Sequence, residues 1–446
     1  MSKATQKTVS FQTVGCRLNQ YETEKMAAAL YPYGFRRAAQ GEPADLYIIN
    51  TCTVTHRADS TNRYLIHKAA RENPGARIVV AGCYVDSDAG RVAGMGPVDV
   101  VISNEEKPRI AEILSEQLSD LFEGDPVMVE TASPGAFERF NRAWLKISDG
   151  CNQRCSFCIL PQVRGSLRNR PPMEIIAEIR ELLALGFQEI VLTGVNVGHY
   201  KHRITEPQVK NLAHLCRMIL EQTELPRLRL SSIEPQTVRD ELLRVCADSR
   251  GRICRHMHMP LQSGSSRLLR LMRRPYDRGT YLKRVTDARA AQPNTIVGAD
   301  VIVGFPGETD DDFAQTVELA DSGFIDYLHV FSYSDRPGTA ASGAVDKISP
   351  EIIKERSAIL SAISDRLWAQ AHARQVGETL GVISEHMKPG RGVLYGVSDN
   401  YINVKLPVDC ASGRRIQPVR VTSVTKGYVE GEVVSERGRA PGGHCL

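Results

Sequence analysis

No apolar run in the 446 residues approaches the roughly 20 residues of a membrane-spanning helix. The first residues, Met1-Ser2-Lys3-Ala4-Thr5-Gln6-Lys7, lack the apolar core of a secretory signal. Cys445 is second from the end and does not fit a prenylation box. These absences exclude membrane classes and lead to the expectation of a cytoplasmic protein. No G-x-G-x-x-G phosphate loop follows the first expected strand, which argues against a dinucleotide-binding domain. Neither sign of charge dominates: 56 Lys and Arg stand against 52 Asp and Glu, a formal charge of +4. The sequence pI of 8.4 is compatible with nucleic acid, but it lies below the value above about 9 typical of a dedicated nucleic-acid domain. A 42% hydrophobic and 24% charged composition is that of an ordinary globular protein. The length suggests about three domains.

What the chain has is cysteine. Eleven cysteines in a reducing compartment point to metal or catalysis rather than to disulfides. Three of them share one loop, Cys151-Asn152-Gln153-Arg154-Cys155-Ser156-Phe157-Cys158. Three thiolates can hold three irons of a [4Fe–4S] cube that normally takes four cysteines, leaving one iron open. On spacing alone, Cys155 and Cys158 also suit a redox pair or half a zinc site. Against zinc, no fourth Cys or His lies just downstream. A redox pair would not need Cys151.

Upstream, hydrophobic runs alternate with helical patterns. Strands are expected over 9–14, 45–49, 77–80 and 98–102, with helices over 20–30 and 57–71. Strands alternating with helices make a parallel, doubly wound sheet. The first three strands each run into a cysteine: Cys16, Cys52 and Cys83. Ligands bind such sheets at the carboxyl ends of the strands, so the three converge on one edge. They are either three independent buried cysteines or a second three-thiolate cluster site.

Gly124-Asp125-Pro126 and Ser133-Pro134-Gly135 mark the expected boundary between domains at 1–125 and 137–370. Beyond it, strands are expected over 143–147, 189–192, 227–230, 254–258, 296–303 and 327–331. Six strand–helix units suggest a partial parallel barrel, with its chemistry at the C-terminal strand ends. His256 and His258 alternate along one strand and point the same way, which is consistent with a core or solvated role.

This arrangement resembles the radical S-adenosylmethionine superfamily, with its C-x-x-x-C-x-Φ-C loop on the first strand of a partial barrel. The surrounding motifs are narrower. Gly15-Cys16 with Asn19, Asn50-Thr51-Cys52-Thr53-Val54, Ala81-Gly82-Cys83, Pro161 with Arg164-Gly165, Pro260-Leu261-Gln262-Ser263-Gly264 and Val303-Gly304-Phe305-Pro306-Gly307-Glu308-Thr309 resemble the methylthiotransferases over nearly the whole chain. Asn50-Thr51-Cys52-Thr53-Val54-Thr55, and Phe331-Ser332-Tyr333-Ser334 with Pro337-Gly338-Thr339, are most similar to the branch that modifies threonylcarbamoyladenosine at position 37 of tRNA. Two places depart from the family. Tyr84-Val85-Asp86 stands where a Gln is usual, and Arg168-Asn169-Arg170 replaces Arg-Ser-Arg.

The resemblance implies two [4Fe–4S] clusters, one on Cys151, Cys155 and Cys158 and one on Cys16, Cys52 and Cys83. It implies two S-adenosylmethionine molecules per turnover. One would methylate a sulfur on the second cluster, and the other would be cleaved by one electron to a deoxyadenosyl radical. The product would carry CH3–S at C2 of the adenine. Phe157, Thr193, Gly194, Glu234, Gln262, Val303 and Gly304 are the expected cofactor-binding residues. The implied partners are a tRNA anticodon loop and an electron donor such as flavodoxin or ferredoxin, with the chain a monomer. Other members act on another tRNA adenosine or on a ribosomal-protein aspartate. A non-enzymatic alternative is a zinc-stabilised RNA-binding protein.

After a charged helix over 350–375, five short strands over 379–384, 392–396, 401–406, 418–424 and 428–434 suggest a small closed barrel. It resembles the TRAM domain, an RNA-binding module, expected over 372–437. Arg391, Lys405, Arg414, Arg415, Arg420 and Lys426 are candidate phosphate contacts. Cys216, Cys246, Cys254, Cys410 and Cys445 carry no expected role.

Overall fold

The computed structural model describes residues 7–39, 41–122, 140–385, 394–407 and 413–434. The expected junction at 125–137, together with Arg391, Cys410 and Cys445, lies outside the described residues.

The N-terminal sheet has five parallel strands in the order Arg36–Arg37, Thr8–Thr13, Leu46–Thr51, Arg77–Gly82, Val100–Ile102. Its central strands are apolar on both faces because both faces are covered. Leu46, Ile48, Val79 and Ala81 enter one core cluster. Their neighbours Tyr47, Ile49, Ile78 and Val80 enter the other, as the two-residue period of a strand requires. The two-residue edge strand Arg36–Arg37 was not anticipated, being too short and too charged to read as one. Thr8–Thr13 and Leu46–Thr51 are adjacent with their crossovers leaving in opposite directions, which makes their carboxyl ends a topological switch point.

All six expected barrel strands are present. Ala143–Lys146, Glu189–Thr193 and Arg227–Leu230 form one parallel sheet; His256–His258, Ile296–Val303 and Tyr327–Ser332 form another. A parallel bridge between Leu228 and Ile253 joins them, with Cys254 N–H donating to the Leu228 carbonyl at 2.9 Å. None of the described strands pairs the first with the last, so the barrel is open there. The Arg17–Leu30 helix packs on Ala143–Lys146 at that side, and Tyr21 joins the barrel's core. Helix starts follow capping chemistry. Thr309 and Asp312 form a capping box on Asp310–Asp321, and Ser349 caps Pro350–Ala373, which has proline in its first turn. No helix among the described residues is long and apolar enough to cross a membrane.

The C-terminal strands Thr379–Ser384, Leu394–Ser398, Asn403–Leu406, Ile416–Thr425 and Tyr428–Val433 close into a barrel. It docks under the larger barrel through charge. Arg229 is fully buried and donates to Glu189 at 2.7 Å and to the Ser398 carbonyl at 2.7 Å. Arg227 donates to the Gly381 carbonyl at 2.6 Å. Burial alone would raise the Glu189 carboxyl, but Arg227, Arg229 and Arg142 outweigh it and hold it well below the usual carboxylate range. Two of the candidate phosphate contacts have other partners. Arg414 donates to the Leu185 carbonyl at 2.5 Å and lies 3.8 Å over the Phe187 ring, and Lys405 pairs with Glu430 at 2.7 Å. Arg420 and Lys426 are exposed.

Candidate active site

The Cys151 loop is clamped at its base. Ser148–Asp149 pairs antiparallel with Arg168–Asn169, and Cys151 N–H donates to the Gly165 carbonyl at 3.0 Å. Gly150 sits between them at φ +69°, so close to Ser166 that a Cβ would lie 2.1 Å from its carbonyl oxygen. Only glycine fits there. The far side is pinned through Ser156, whose N–H donates to Met272 O at 3.1 Å and whose hydroxyl donates to Leu271 O at 2.9 Å. Cys151, Cys155 and Cys158 are all free thiols. Burial, with smaller contributions from Cys155 and Cys151, pushes the Cys158 thiol up to about 12. Such a thiol keeps its proton at neutral pH unless a metal displaces it.

Donors surround these sulfurs. Arg274 donates to Cys155 Sγ at 3.1 Å, and Asn196 donates to Cys151 Sγ at 3.5 Å. Arg274 is buried, ion-paired with Glu234, and donates to Tyr276 Oη at 3.0 Å. Sequence reasoning missed it because it sits in a run with Arg267, Arg270 and Arg273, all of them exposed.

The other trio is built at the sheet edge. Gly15 and Gly82 precede Cys16 and Cys83 at φ +109° and +100°. A Cβ on Gly15 would lie 2.6 Å from Cys52 Cβ, and one on Gly82 would lie 2.9 Å from Thr51 O. The two glycines therefore permit the close approach of the three turns. Burial, and then Cys83 and Cys16, push the Cys52 thiol up to about 12. Asn104 donates to Cys83 Sγ at 3.4 Å, and Asp86 holds that amide at 2.6 Å. The departure at Tyr84-Val85-Asp86 thus supplies a support for Cys83.

Arg164 ties the two trios together. It leaves the segment after the Cys151 loop and donates through Nε to Cys83 Sγ at 3.2 Å. Its other nitrogens reach Glu22 at 2.5 Å and Asn19 at 2.7 Å. Glu22 also pairs with Lys107 at 2.6 Å and Lys146 at 3.2 Å, and Lys146 pairs with Asp149 at 2.7 Å. Opposite, Arg336 donates to Thr53 O at 2.8 Å and to Asp59 at 2.7 Å, fixing the segment after Cys52 to the barrel mouth.

A cavity of about 280 Å³ opens beside the Cys151 loop. Cys151, Cys155 and Cys158 line it together with Val54 and Thr55, which follow Cys52. Phe157, Glu234 and Gln262 line it too, as do Asp300 and Phe331. Gln262 holds φ +66°, an uncommon conformation for a residue other than glycine. Thr193, Gly194, Val303 and Gly304 are not among the lining residues. Thr193 is buried and its carbonyl accepts from Ile147 N–H at 2.9 Å. Gly194 abuts Ser148, where a Cβ would lie 2.4 Å from Oγ. Val303 accepts from Tyr333 N–H at 2.8 Å, and Gly304 lies against Ile353 at φ +76°. His256 and His258 are both buried, bonded to Tyr327 Oη at 2.9 Å and Ser232 Oγ at 2.7 Å.

Free thiols in two groups of three, each met by N–H donors and a buried guanidinium, suit anionic iron–sulfur clusters, whose sulfurs are tuned by such bonds. Residues 145–320 match the Radical SAM superfamily, and residues 8–103 match the uncharacterized protein family UPF0004. The threonylcarbamoyladenosine tRNA methylthiotransferase MtaB of Bacillus subtilis is 34% identical, over 96% of both chains. The tRNA-2-methylthio-N(6)-dimethylallyladenosine synthase of Acidothermus cellulolyticus is 35% identical, over 84% of this chain and 77% of its own. Among solved structures, the radical S-adenosylmethionine methyltransferase TsrM of Kitasatospora setae superposes with a TM-score of 0.56 at 13% identity, covering 86% of this chain and 79% of that one. At that identity the likeness concerns the fold. The sequence relatives go further: this chain belongs to the methylthiotransferase family of radical S-adenosylmethionine enzymes.

Proposed function

We propose that the protein adds a CH3–S group to C2 of N6-threonylcarbamoyladenosine at position 37 of tRNA. The observation that carries this reading is the single cavity shared by the Cys151 trio and the segment after Cys52. Similarity to the MtaB enzymes along 96% of both chains favours this branch over the dimethylallyladenosine synthases. Membership of the radical S-adenosylmethionine superfamily implies a [4Fe–4S] cluster and S-adenosylmethionine. Cys151, Cys155 and Cys158 would hold that cluster, and Cys16, Cys52 and Cys83 would hold a second one together with the sulfur to be transferred. Bound there, these groups supply one-electron chemistry, which an unreactive aromatic C–H requires. Two S-adenosylmethionine molecules would be used per turnover, one for methyl transfer and one for activation.

The residues of the chain position and shield. Arg274 and Arg164 place one positive charge beside each trio. Phe157, Glu234 and Gln262 shape the cavity wall, and backbone at Thr193, Gly194, Val303 and Gly304, at the strand ends, would contact S-adenosylmethionine. The target base would enter flipped out of the anticodon loop, since its C2 is out of reach in a stack. Arg420 and Lys426 on the C-terminal barrel would meet RNA phosphates. We assign 1–125 to the second cluster, 137–370 to the radical chemistry and 372–437 to RNA. An electron donor such as flavodoxin or ferredoxin would serve a monomeric, cytoplasmic enzyme.

Nucleoside mass spectrometry of tRNA from cells lacking the protein tests this. The 2-methylthio derivative of threonylcarbamoyladenosine disappears and its precursor remains. Loss of a dimethylallyl derivative instead, or no change, overturns the assignment.

A further inference from the structure

One wall of the barrel lumen is not used by either cysteine trio. Asp300 and Ile302 lie opposite His329 and Phe331 in parallel register, and Asp300, Ile302 and Phe331 line the cavity. Side chains two apart on a strand share a face, so Tyr327, His329 and Phe331 form one column inside the barrel. Phe331 is 43% exposed there, and the His329 side chain is 52% exposed. His329 Nδ1 lies 3.3 Å from Asp300 Oδ1, and His258 Nε2 lies 3.2 Å from the same oxygen. Asp300 therefore fixes the His329 ring by one nitrogen and leaves Nε2 for a second partner. Lower in the lumen, Tyr401 reaches in from the C-terminal barrel and stacks on His256 at 4.4 Å. Tyr401 holds φ +73°, a strained conformation for a tyrosine.

Arg17 approaches this column from the start of the Arg17–Leu30 helix. It donates to Tyr401 Oη at 2.6 Å, and its guanidinium lies 5.5 Å from the Tyr401 ring. Its charge is felt by both His256 and Tyr327. Among the described residues it forms no ion pair with a carboxylate, although Arg229, which lies over the same Tyr401 ring, is paired with Glu189. A partly buried guanidinium with only a phenol for company has most of its donors to spare, and its planar fork matches a carboxylate.

We propose that Arg17 and His329, linked through Tyr327 and Tyr401, bind the carboxylate of the group on N6 of the target adenosine, while Phe331 stacks on the base. The proposal rests on the function proposed above and deepens it. A threonylcarbamoyl group joins threonine through its nitrogen and keeps a free carboxylate, so it is anionic. A dimethylallyl group is a hydrocarbon with nothing for a guanidinium to hold. The pair Arg17 and His329 thereby selects one modified adenosine over the other, and Arg17 does so from the position next to Cys16.

The test uses cluster-loaded full-length protein and three anticodon stem-loops that differ only at the target base: threonylcarbamoyladenosine, dimethylallyladenosine or adenosine. Affinity is read by fluorescence anisotropy, with iron content measured on each variant. Arg17→Met weakens binding of the threonylcarbamoyl RNA by about ten- to a hundredfold, the range for a lost hydrogen bond between charged groups. It leaves the adenosine RNA within about twofold, since the lost contact is to the N6 group. His329→Leu, remote in sequence from the cysteines, gives the same selective loss at smaller size. Tyr401→Phe, which removes the hydroxyl and keeps the ring, retains the selectivity. Equal loss on all three RNAs, selectivity retained by both Arg17→Met and His329→Leu, or a Tyr401→Phe effect as large as that of Arg17→Met overturns the proposal. Wild-type protein that makes no methylthio product from the threonylcarbamoyl RNA overturns the functional reading itself. Product from wild type with selectivity intact in both variants overturns only this inference.

Discussion

Replacing Arg164 by methionine probes the joint between the two halves of the site. The side chain is 1% exposed and spans from the barrel to Cys83, Asn19 and Glu22. The local charge is three cations, Lys107, Lys146 and Arg164, against two carboxylates, Glu22 and Asp149. Glu22 keeps Lys107 and Lys146 after the substitution, and Asp149 keeps Lys146, so no carboxylate is stranded. Breaking a buried pair that leaves a bare charge costs about 3–5 kcal/mol. With both carboxylates still paired the cost is that of the lost hydrogen bonds to charged groups, about 1.5–3 kcal/mol, or roughly one to two powers of ten in a local opening equilibrium. Hydrogen exchange of the Arg17–Leu30 helix should accelerate by about that factor, while the C-terminal barrel stays protected. The second effect is electronic. A guanidinium N–H bonded to a ligand sulfur favours the reduced, more negative cluster. Its loss would lower the midpoint potential of a cluster held by Cys16, Cys52 and Cys83, and a differential of about 1.4 kcal/mol corresponds to ~60 mV for one electron. Unchanged exchange together with an unchanged potential would refute the reasoning. Arg164→Lys, which keeps the charge but not the fork, should restore the potential in part.

Other expectations are more local. Gly150→Ala places a methyl 2.1 Å from Ser166 O at positive φ, so the Cys151 loop cannot close, and anaerobic loading should yield about four irons instead of eight. Glu189 has its folded pKa depressed by its arginines; its contribution is complete above the unfolded carboxylate value of about 4.3 and is lost as pH falls below it. Acid titration of wild type should therefore detach the C-terminal barrel below about pH 4, seen as faster proteolysis there, and Glu189→Gln should show that susceptibility already at neutral pH. Arg420→Ala with Lys426→Ala should weaken RNA binding and reduce the slope of log affinity against log salt by about 2.

The strands were readable because their signals are local. A buried parallel strand is a short apolar run, and Cys16, Cys52 and Cys83 each stand just after one. The arginines were not readable in the same way. Arg164 reaches Cys83 across 81 residues, and Arg274 reaches Cys155 across 119. Around Arg274, nothing in the basic run separates a buried guanidinium from its solvated neighbours. The packing of the glycines was not readable either: at Gly194 and Gly304 an added Cβ would meet Ser148 or Ile353, neighbours distant in sequence. Arg414 looked like a phosphate contact, yet its ring partner Phe187 is 227 positions away in the sequence and belongs to the larger barrel. Lys405 forms its pair only because Asn403–Leu406 and Tyr428–Val433 lie side by side.

The decisive measurement is iron and acid-labile sulfide per chain after anaerobic loading, in wild type and with each cysteine trio changed to alanine. Two clusters require about eight irons in wild type and about four when either Cys16, Cys52 and Cys83 or Cys151, Cys155 and Cys158 are replaced. Four irons in wild type, unaffected by loss of Cys16, Cys52 and Cys83, would contradict the two-cluster chamber.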